Sequence, residues 1–160
     1  MSECEKTNAM RMLESADIPY SAHTYPHGED AVDGVTVARL TGRDPAQVFK
    51  TLVTVGAPNR YYVLVIPVAK ELDLKAAARA VGEKSLEMIH VKDINRVTGY
   101  IRGGCSPVGM KKLYPTVLDE DCLYFDTILV SGGRIGLQIE VSPRALADLI
   151  GARILPITRT

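Results

Sequence analysis

Residues 103–109 read Gly-Gly-Cys-Ser-Pro-Val-Gly and are followed by Met110, Lys111 and Lys112. Three glycines in seven positions let N–H groups reach orientations closed to other residues, and Pro107 fixes the bend between them. Such a loop can hold an oxyanion, a hydroxyl or a phosphate with main-chain donors alone. Gly104 and Gly109 have the spacing of a nucleotide-triphosphate loop, but Met110 stands where its lysine belongs, so that motif fails. The competing reading is a structural turn, the usual fate of a Gly/Pro cluster.

Two other segments carry groups suited to chemistry. In Val48-Phe-Lys-Thr-Leu52 the strand period of two puts Lys50 on the face of Val48 and Leu52, and Thr51 on the face of Phe49 and Val53. A lysine on an apolar strand face either reaches out to water or enters a pocket where it meets an anion or a carbonyl. Ser131-Gly132-Gly133-Arg134 joins two strands. Gly-Gly suits a two-residue hairpin turn, and Ser131 offers a hydroxyl at the strand end. In the next strand Gln138 and Glu140 share a face opposite Ile135, Leu137, Ile139 and Val141. His23 and His27 lack a third ligand at zinc spacing, and no metal site is expected. Cys105 lies inside the glycine loop with no His or acid beside it, which suits a small buried hydrophobe better than a nucleophile.

The elements that must hold these residues follow from pattern. Thr7 caps a first helix with Ala9, Met12, Leu13 and Ala16 as its apolar stripe, and Pro19 ends it. Tyr20 to Tyr25 reads as a strand, 26–34 as a loop, and Val35 to Leu40 as a helix stopped by Gly42. Val48–Val55 and Tyr61–Pro67 form a hairpin. Asp73 starts a helix that Gly82 closes, and a further helix lies between Val91 and Val97. Asp126–Ser131 and Ile135–Val141 are strands, and Ser142-Pro143 opens the last helix, which stops at Gly151. The pattern predicts one α/β (α+β) domain over residues 1–160: a mixed, largely antiparallel, barrel-like sheet surrounded by helices.

Composition narrows the function classes. With 19 basic and 19 acidic residues the net charge is zero, which disfavours a protein that coats DNA or RNA by bulk charge. Arg102, Lys111, Lys112 and Arg134 flank the glycine loops and leave a local basic rim available for a phosphate backbone. No apolar run approaches a membrane span, and Met1 to Lys6 lacks a secretion signal. Cys4, Cys105 and Cys122 cannot all pair and suggest a reducing compartment. A cytoplasmic protein without membrane contact is expected.

Taken in order, the segments resemble the YbaK/EbsC family, free-standing relatives of the editing domain inserted in bacterial prolyl-tRNA synthetases. The stretches that carry the resemblance are His23-Thr-Tyr25, Val48-Phe-Lys-Thr-Leu52, Pro67-Val-Ala, Glu71-Leu-Asp-Leu-Lys75 and Thr98-Gly-Tyr. Gly103-Gly-Cys-Ser-Pro107, Gly109-Met-Lys-Lys112, Val130-Ser-Gly-Gly133 and Gly136-Leu-Gln-Ile-Glu140 complete it. The resemblance implies removal of a wrongly attached amino acid from tRNA(Pro), with cysteine the first choice and alanine the second. A non-catalytic binding module and a metal-dependent hydrolase are the alternatives from other classes.

The resemblance also implies the site. Lys50, Gly103 and Ser131 become catalytic, and Tyr25, Thr51, Gly104, Cys105, Ser106, Pro107, Gly132, Gly133 and Gln138 become substrate contacts. The amides of the 103–107 loop would stabilise charge on the ester, with no metal or cofactor, and with the substrate's own thiol or a water as nucleophile. Mischarged tRNA(Pro) and prolyl-tRNA synthetase are the implied partners. Two departures bear on which side chain is selected: Gln138 replaces a frequent aspartate, and Asp33 stands where an aromatic is usual.

Overall fold

A computed structural model describes residues 6–159. From the N-terminus the elements are α1 (Asn8–Ser15), β1 (Tyr20–Thr24), α2 (Gly34–Leu40), β2 (Phe49–Val55), β3 (Tyr61–Pro67) and α3 (Leu74–Val81). They continue with β4 (Glu87–Met88), α4 (Ile94–Thr98), β5 (Thr116–Asp119), β6 (Ile128–Ser131), β7 (Leu137–Val141), α5 (Pro143–Ile150) and β8 (Arg153–Leu155). The Cys4 thiol and the Met1–Glu5 leader reading fall outside the described residues.

Helix ends are set by side chains. Thr7 Oγ1 accepts the Met10 N–H at 3.2 Å, Asp73 accepts that of Ala76 at 3.0 Å, and Ser142 that of Ala145 at 3.2 Å. Gly82 and Gly151 close α3 and α5 in left-handed geometry, as the sequence predicts. Asp33 caps α2 through the Thr36 N–H at 2.9 Å, so the residue that replaces an aromatic here holds a helix start.

The strands make two sheets, ordered β4-β2-β3-β5-β8 and β1-β7-β6. β2 and β3 form the expected hairpin, in register from Phe49↔Pro67 to Val55↔Tyr61. β5 lies parallel between β3 and β8, which makes this sheet mixed. The sheets meet at one point. The Leu129 N–H donates to the Gln47 carbonyl at 3.0 Å, and Val48 bridges Leu129 in parallel. Past that bridge β2 and β6 separate, and the curl stops short of a closed barrel.

The core fills the space between the sheets. Phe49, Val63, Val65 and Leu118 meet Ile128, Val130, Leu137 and Ile139, with Leu13 of α1 and Leu146 of α5 closing the ends. On the far face of the β2–β3 hairpin, Leu64 and Ile66 pack on Ala77 and Ala78 of α3. α2 covers the junction, with Ala38 against Val48, Val68 and Leu129. Each such valine, leucine, isoleucine or phenylalanine side chain contributes about 1.5–3 kcal/mol by leaving water, and each alanine less. The helices therefore clamp the junction from outside while the site opens beside it.

Two sequence expectations are corrected. Gly132-Gly133 is not a two-residue turn: residues 132–136 connect β6 to β7, with the Gly132 N–H donating to the Leu137 carbonyl at 2.9 Å. Gly136 at φ 91° ends the strand before Leu137, so Ile135 belongs to the connection. The short strands β4, β5 and β8 were not anticipated from pattern.

Candidate functional site

A cleft of about 670 Å³ opens where β2 and β6 part, a size suited to a small ligand or the end of a larger one. Four consecutive β2 residues, Phe49 to Leu52, line it, so the cleft wraps the open edge of the strand. Opposite stand Ser131 of β6 and Gln138 of β7, cross-strand neighbours on one sheet face. Tyr25, Gly103, Cys105 and the acidic segment 29–33 complete the wall. Seven of the twelve residues singled out in the sequence thus converge: Tyr25, Lys50, Thr51, Gly103, Cys105, Ser131 and Gln138.

Lys50 lies, as the strand period requires, on the face of Leu52, opposite Ile66. It is half-buried and has no hydrogen bond or ion pair among the described residues. Arg102 is a second cation on the same wall. Ser131 Oγ accepts the Gly133 N–H at 3.2 Å, which aims the side chain and leaves its proton to donate. Tyr25 is 7% exposed; its N–H bonds the Gly136 carbonyl at 2.9 Å, and its ring sits edge-on to His27.

The glycine loop divides its labour. The Gly104 N–H donates to the Ile101 carbonyl at 2.9 Å, and Pro107 has no N–H to give. Gly103 and Cys105, the loop residues that reach the cleft, keep their N–H groups unpaired among the described residues. Gly103 sits at φ 85°, where an added Cβ would stand 2.7 Å from the Ala31 Cβ. Burial pushes the Cys105 thiol up to about 11, so at neutral pH it is protonated and a poor nucleophile.

The remaining five candidates are not on the cleft wall; they brace it. A Cβ on Gly104 would meet the Arg134 backbone at 2.8 Å, and one on Gly133 would meet Thr7 and Tyr100. Thr7 Oγ1 donates to the Gly132 carbonyl. Ser106 is buried, its Oγ accepting the Val108 N–H at 3.3 Å, and Pro107 is buried beside it. The two glycine-rich loops therefore press on each other and on the start of α1, and that close backbone approach is what their glycines permit.

Electrostatics separates two neighbours on β7. Glu140 is held by three groups: His23 Nε2 at 2.9 Å, Arg43 at 3.0 Å and the Thr127 hydroxyl at 2.6 Å. The Thr127 hydrogen bond, then His23 and Arg43, hold its carboxyl below 4.5 against the opposing cost of burial. Gln138, two residues earlier and 6% exposed, has an Oε1 with no partner, and Thr51 Oγ1 is likewise buried and unpaired. Among the described residues no three His, Cys, Asp or Glu side chains gather as metal ligands, and no helix is long and apolar enough to cross a membrane.

Sequence reasoning missed Glu29 and Asp30, which sit in a loop with no periodic pattern and line the cleft with the Asp33 it had singled out. It also missed the contribution of Phe49, whose alternation assigns it to the core. In the sequence His27 stands out only as half of an incomplete metal pair with His23. Its ring lies over Gly136, where a Cβ would come within 2.1 Å of it.

Comparison with known proteins places this architecture. The aminoacyl-tRNA editing domain family matches residues 29–149, and the chain belongs to that family. A protein of Enterococcus faecalis, provisionally named Cys-tRNA(Pro)/Cys-tRNA(Cys) deacylase EbsC, is 47% identical over 154 residues, 96% of this chain and 94% of that protein. A crystal structure, provisionally described as a trans-editing enzyme for prolyl tRNA synthetase, superposes with a TM-score of 0.82 at 26% identity over 96% of each chain. A hypothetical protein at 22% identity shares the fold, with a TM-score of 0.85 over 96% of this chain and 100% of its own.

Proposed function

We propose that this protein is an aminoacyl-tRNA deacylase that removes cysteine from mischarged Cys-tRNA(Pro). The observation that carries the reading is the meeting of an unpartnered ammonium, two unpaired amides and a free hydroxyl proton in one cleft: Lys50, Gly103 with Cys105, and Ser131. Membership in the editing family and the provisional name of the Enterococcus relative support the reaction class and the amino acid.

The need for such an enzyme is energetic. A synthetase pocket made for proline excludes a smaller amino acid weakly, because one methylene is worth about 1–3 kcal/mol. A second site that accepts the rejected residue restores accuracy. In this cleft the Gly103 and Cys105 amides face the ester carbonyl and gain strength as its oxygen turns negative. Lys50, with Arg102, holds the phosphate and ribose of the terminal nucleotide. Ser131 donates to a ribose oxygen. The ester C–O bond breaks and the departing ribose oxygen takes up the proton that the attacking thiol or water gives up.

The nucleophile comes from outside the protein, since burial keeps Cys105 protonated and Ser131 Oγ has no hydrogen bond to a basic side chain among the described residues. The substrate's own thiol, attacking the carbonyl carbon, releases tRNA and a thiolactone; attack by water releases cysteine directly. The first outcome makes the enzyme lyase-like and the second a hydrolase. Tyr25, Thr51 and Gln138 contact the aminoacyl end, and Gly104, Ser106, Pro107, Gly132 and Gly133 shape the wall around it. The enzyme works as one domain in the cytoplasm, with prolyl-tRNA synthetase supplying tRNA choice.

The test is a panel of Cys-, Ala- and Pro-charged tRNA(Pro) incubated with wild type and Lys50→Ala. Fast loss of cysteine only, abolished in the variant, supports the reading. A preference for alanine shifts the substrate to the second candidate, and binding without turnover identifies a recognition module.

A further inference from the structure

Gln138 Oε1 and Thr51 Oγ1 are the two buried side-chain atoms without a hydrogen-bond partner among the described residues, and both belong to residues of the cleft wall. The coincidence is informative because other buried or half-buried polar side chains nearby are satisfied. Glu140 is bonded three times, Thr54 donates to the Tyr62 carbonyl, and Ser106 and Thr98 have partners. Buried polar atoms are almost always paired, so two orphans in one cavity mark where a ligand supplies the missing partner.

The chemistry of that partner follows from theirs. The amide oxygen can only accept and the hydroxyl can accept, so a ligand that donates answers both. Both are neutral, and both atoms are almost wholly removed from water in a wall that also carries Val37, Phe49 and Val68. A charged ammonium buried there would lose hydration without gaining a counter-charge. The exposed carboxylates of Glu29 and Asp30, on the wall of the same cleft, suit that ammonium instead. A small neutral group with one donor suits the orphans.

We propose that Gln138 and Thr51 select the amino acid by the hydrogen-bond donor of its side chain, a thiol or a hydroxyl, and so set cysteine apart from alanine. The proposal rests on the editing reading and deepens it by assigning the choice of side chain to two residues. Gln138 is suited to this role as a neutral amide, since a carboxylate there would draw the substrate's ammonium inward. The site tolerates serine at the level of binding, because a hydroxyl donates at least as well as a thiol.

Stable amide-linked analogues of the aminoacyl-adenosine end, carrying cysteine, serine or alanine, separate binding from turnover. Their Kd values are measured calorimetrically with wild type, Gln138→Met and Thr51→Val, each checked for an unchanged melting profile. The expected result is that wild type binds the cysteine and serine analogues at least about 10-fold more tightly than alanine, and that either variant brings the ratios within about 2-fold. Wild type binding all three alike, equal weakening of all three by the variants, or unchanged ratios would overturn the proposal while leaving the editing site intact. If wild type binds none of the analogues, the editing reading of the cleft falls, and the selection proposal falls with it. Two variants of different residues guard against one of them misfolding.

Discussion

Glu140 and Gln138 sit two residues apart on one strand face, yet they belong to opposite regimes. Around Glu140, His23 of β1, Arg43 after α2 and Thr127 before β6 close a network in which every group has an answer. Around Gln138, Lys50, Gly103 and Cys105 line a cavity with their ammonium and amides unpaired among the described residues, and the Thr51 hydroxyl is buried without a partner. The first arrangement ties three segments together and stabilises them. The second gives up that stabilisation to keep polar groups ready for a guest. Satisfaction of polar groups thus distinguishes scaffold from site better than residue type does.

The comparison predicts that damage on the two sides will look different. Lys50→Ala should lower kcat/KM for Cys-tRNA(Pro) by at least ~100-fold, with Tm almost unchanged because no protein partner is lost. A stability loss matching the activity loss would show that Lys50 belongs to the scaffold after all. Glu140→Gln should do the reverse. It should cost about 1–3 kcal/mol, a Tm drop of roughly 2–10 °C, while activity per folded molecule persists.

The contrast sharpens with pH. Because the folded carboxyl of Glu140 is held below 4.5, its contribution is complete above that value and is lost as pH falls through the lower folded value. The Tm gap between wild type and Glu140→Gln should therefore shrink as melts are run from pH 6 towards pH 3. A constant gap would remove the carboxylate from the account. Gly103→Ala tests the seam between the regions. Positive φ and the Ala31 collision should cost about 1–3 kcal/mol and displace the amide, so both readouts fall. Cys105→Ala is the smallest change: turnover should stay within about 3-fold, and a larger loss would reopen the thiol as a reactant.

How much of this was legible in the sequence depends on how local the cause is. Caps at Thr7, Asp73 and Ser142, stops at Gly82 and Gly151, and the alternation around Lys50 act within a few residues and read correctly. β5 did not. Thr116-Val-Leu-Asp119 is buried on both faces between parallel neighbours, so it shows no alternation to find. β4 and β8 are too short to carry a period. The glycine loop stands out in the sequence, but the division between amides that serve the cleft and glycines that let backbones touch depends on Arg134 against Gly104 and Ala9 against Gly109, both distant in the chain. The orphan at Gln138 is visible only once its surroundings are known, because in the sequence it matches Glu140 in pattern and polarity.

The lone bridge between Val48 and Leu129 has a consequence for how the protein stays well behaved. β4 caps the other end of that flank of β2 at Thr54 and Val55, and the Ile89 N–H closes on the Val53 carbonyl. What lies between is a notch of bare main chain about four residues long. A foreign strand needs a longer run to take hold, so the notch can welcome an extended substrate terminus without inviting polymerisation.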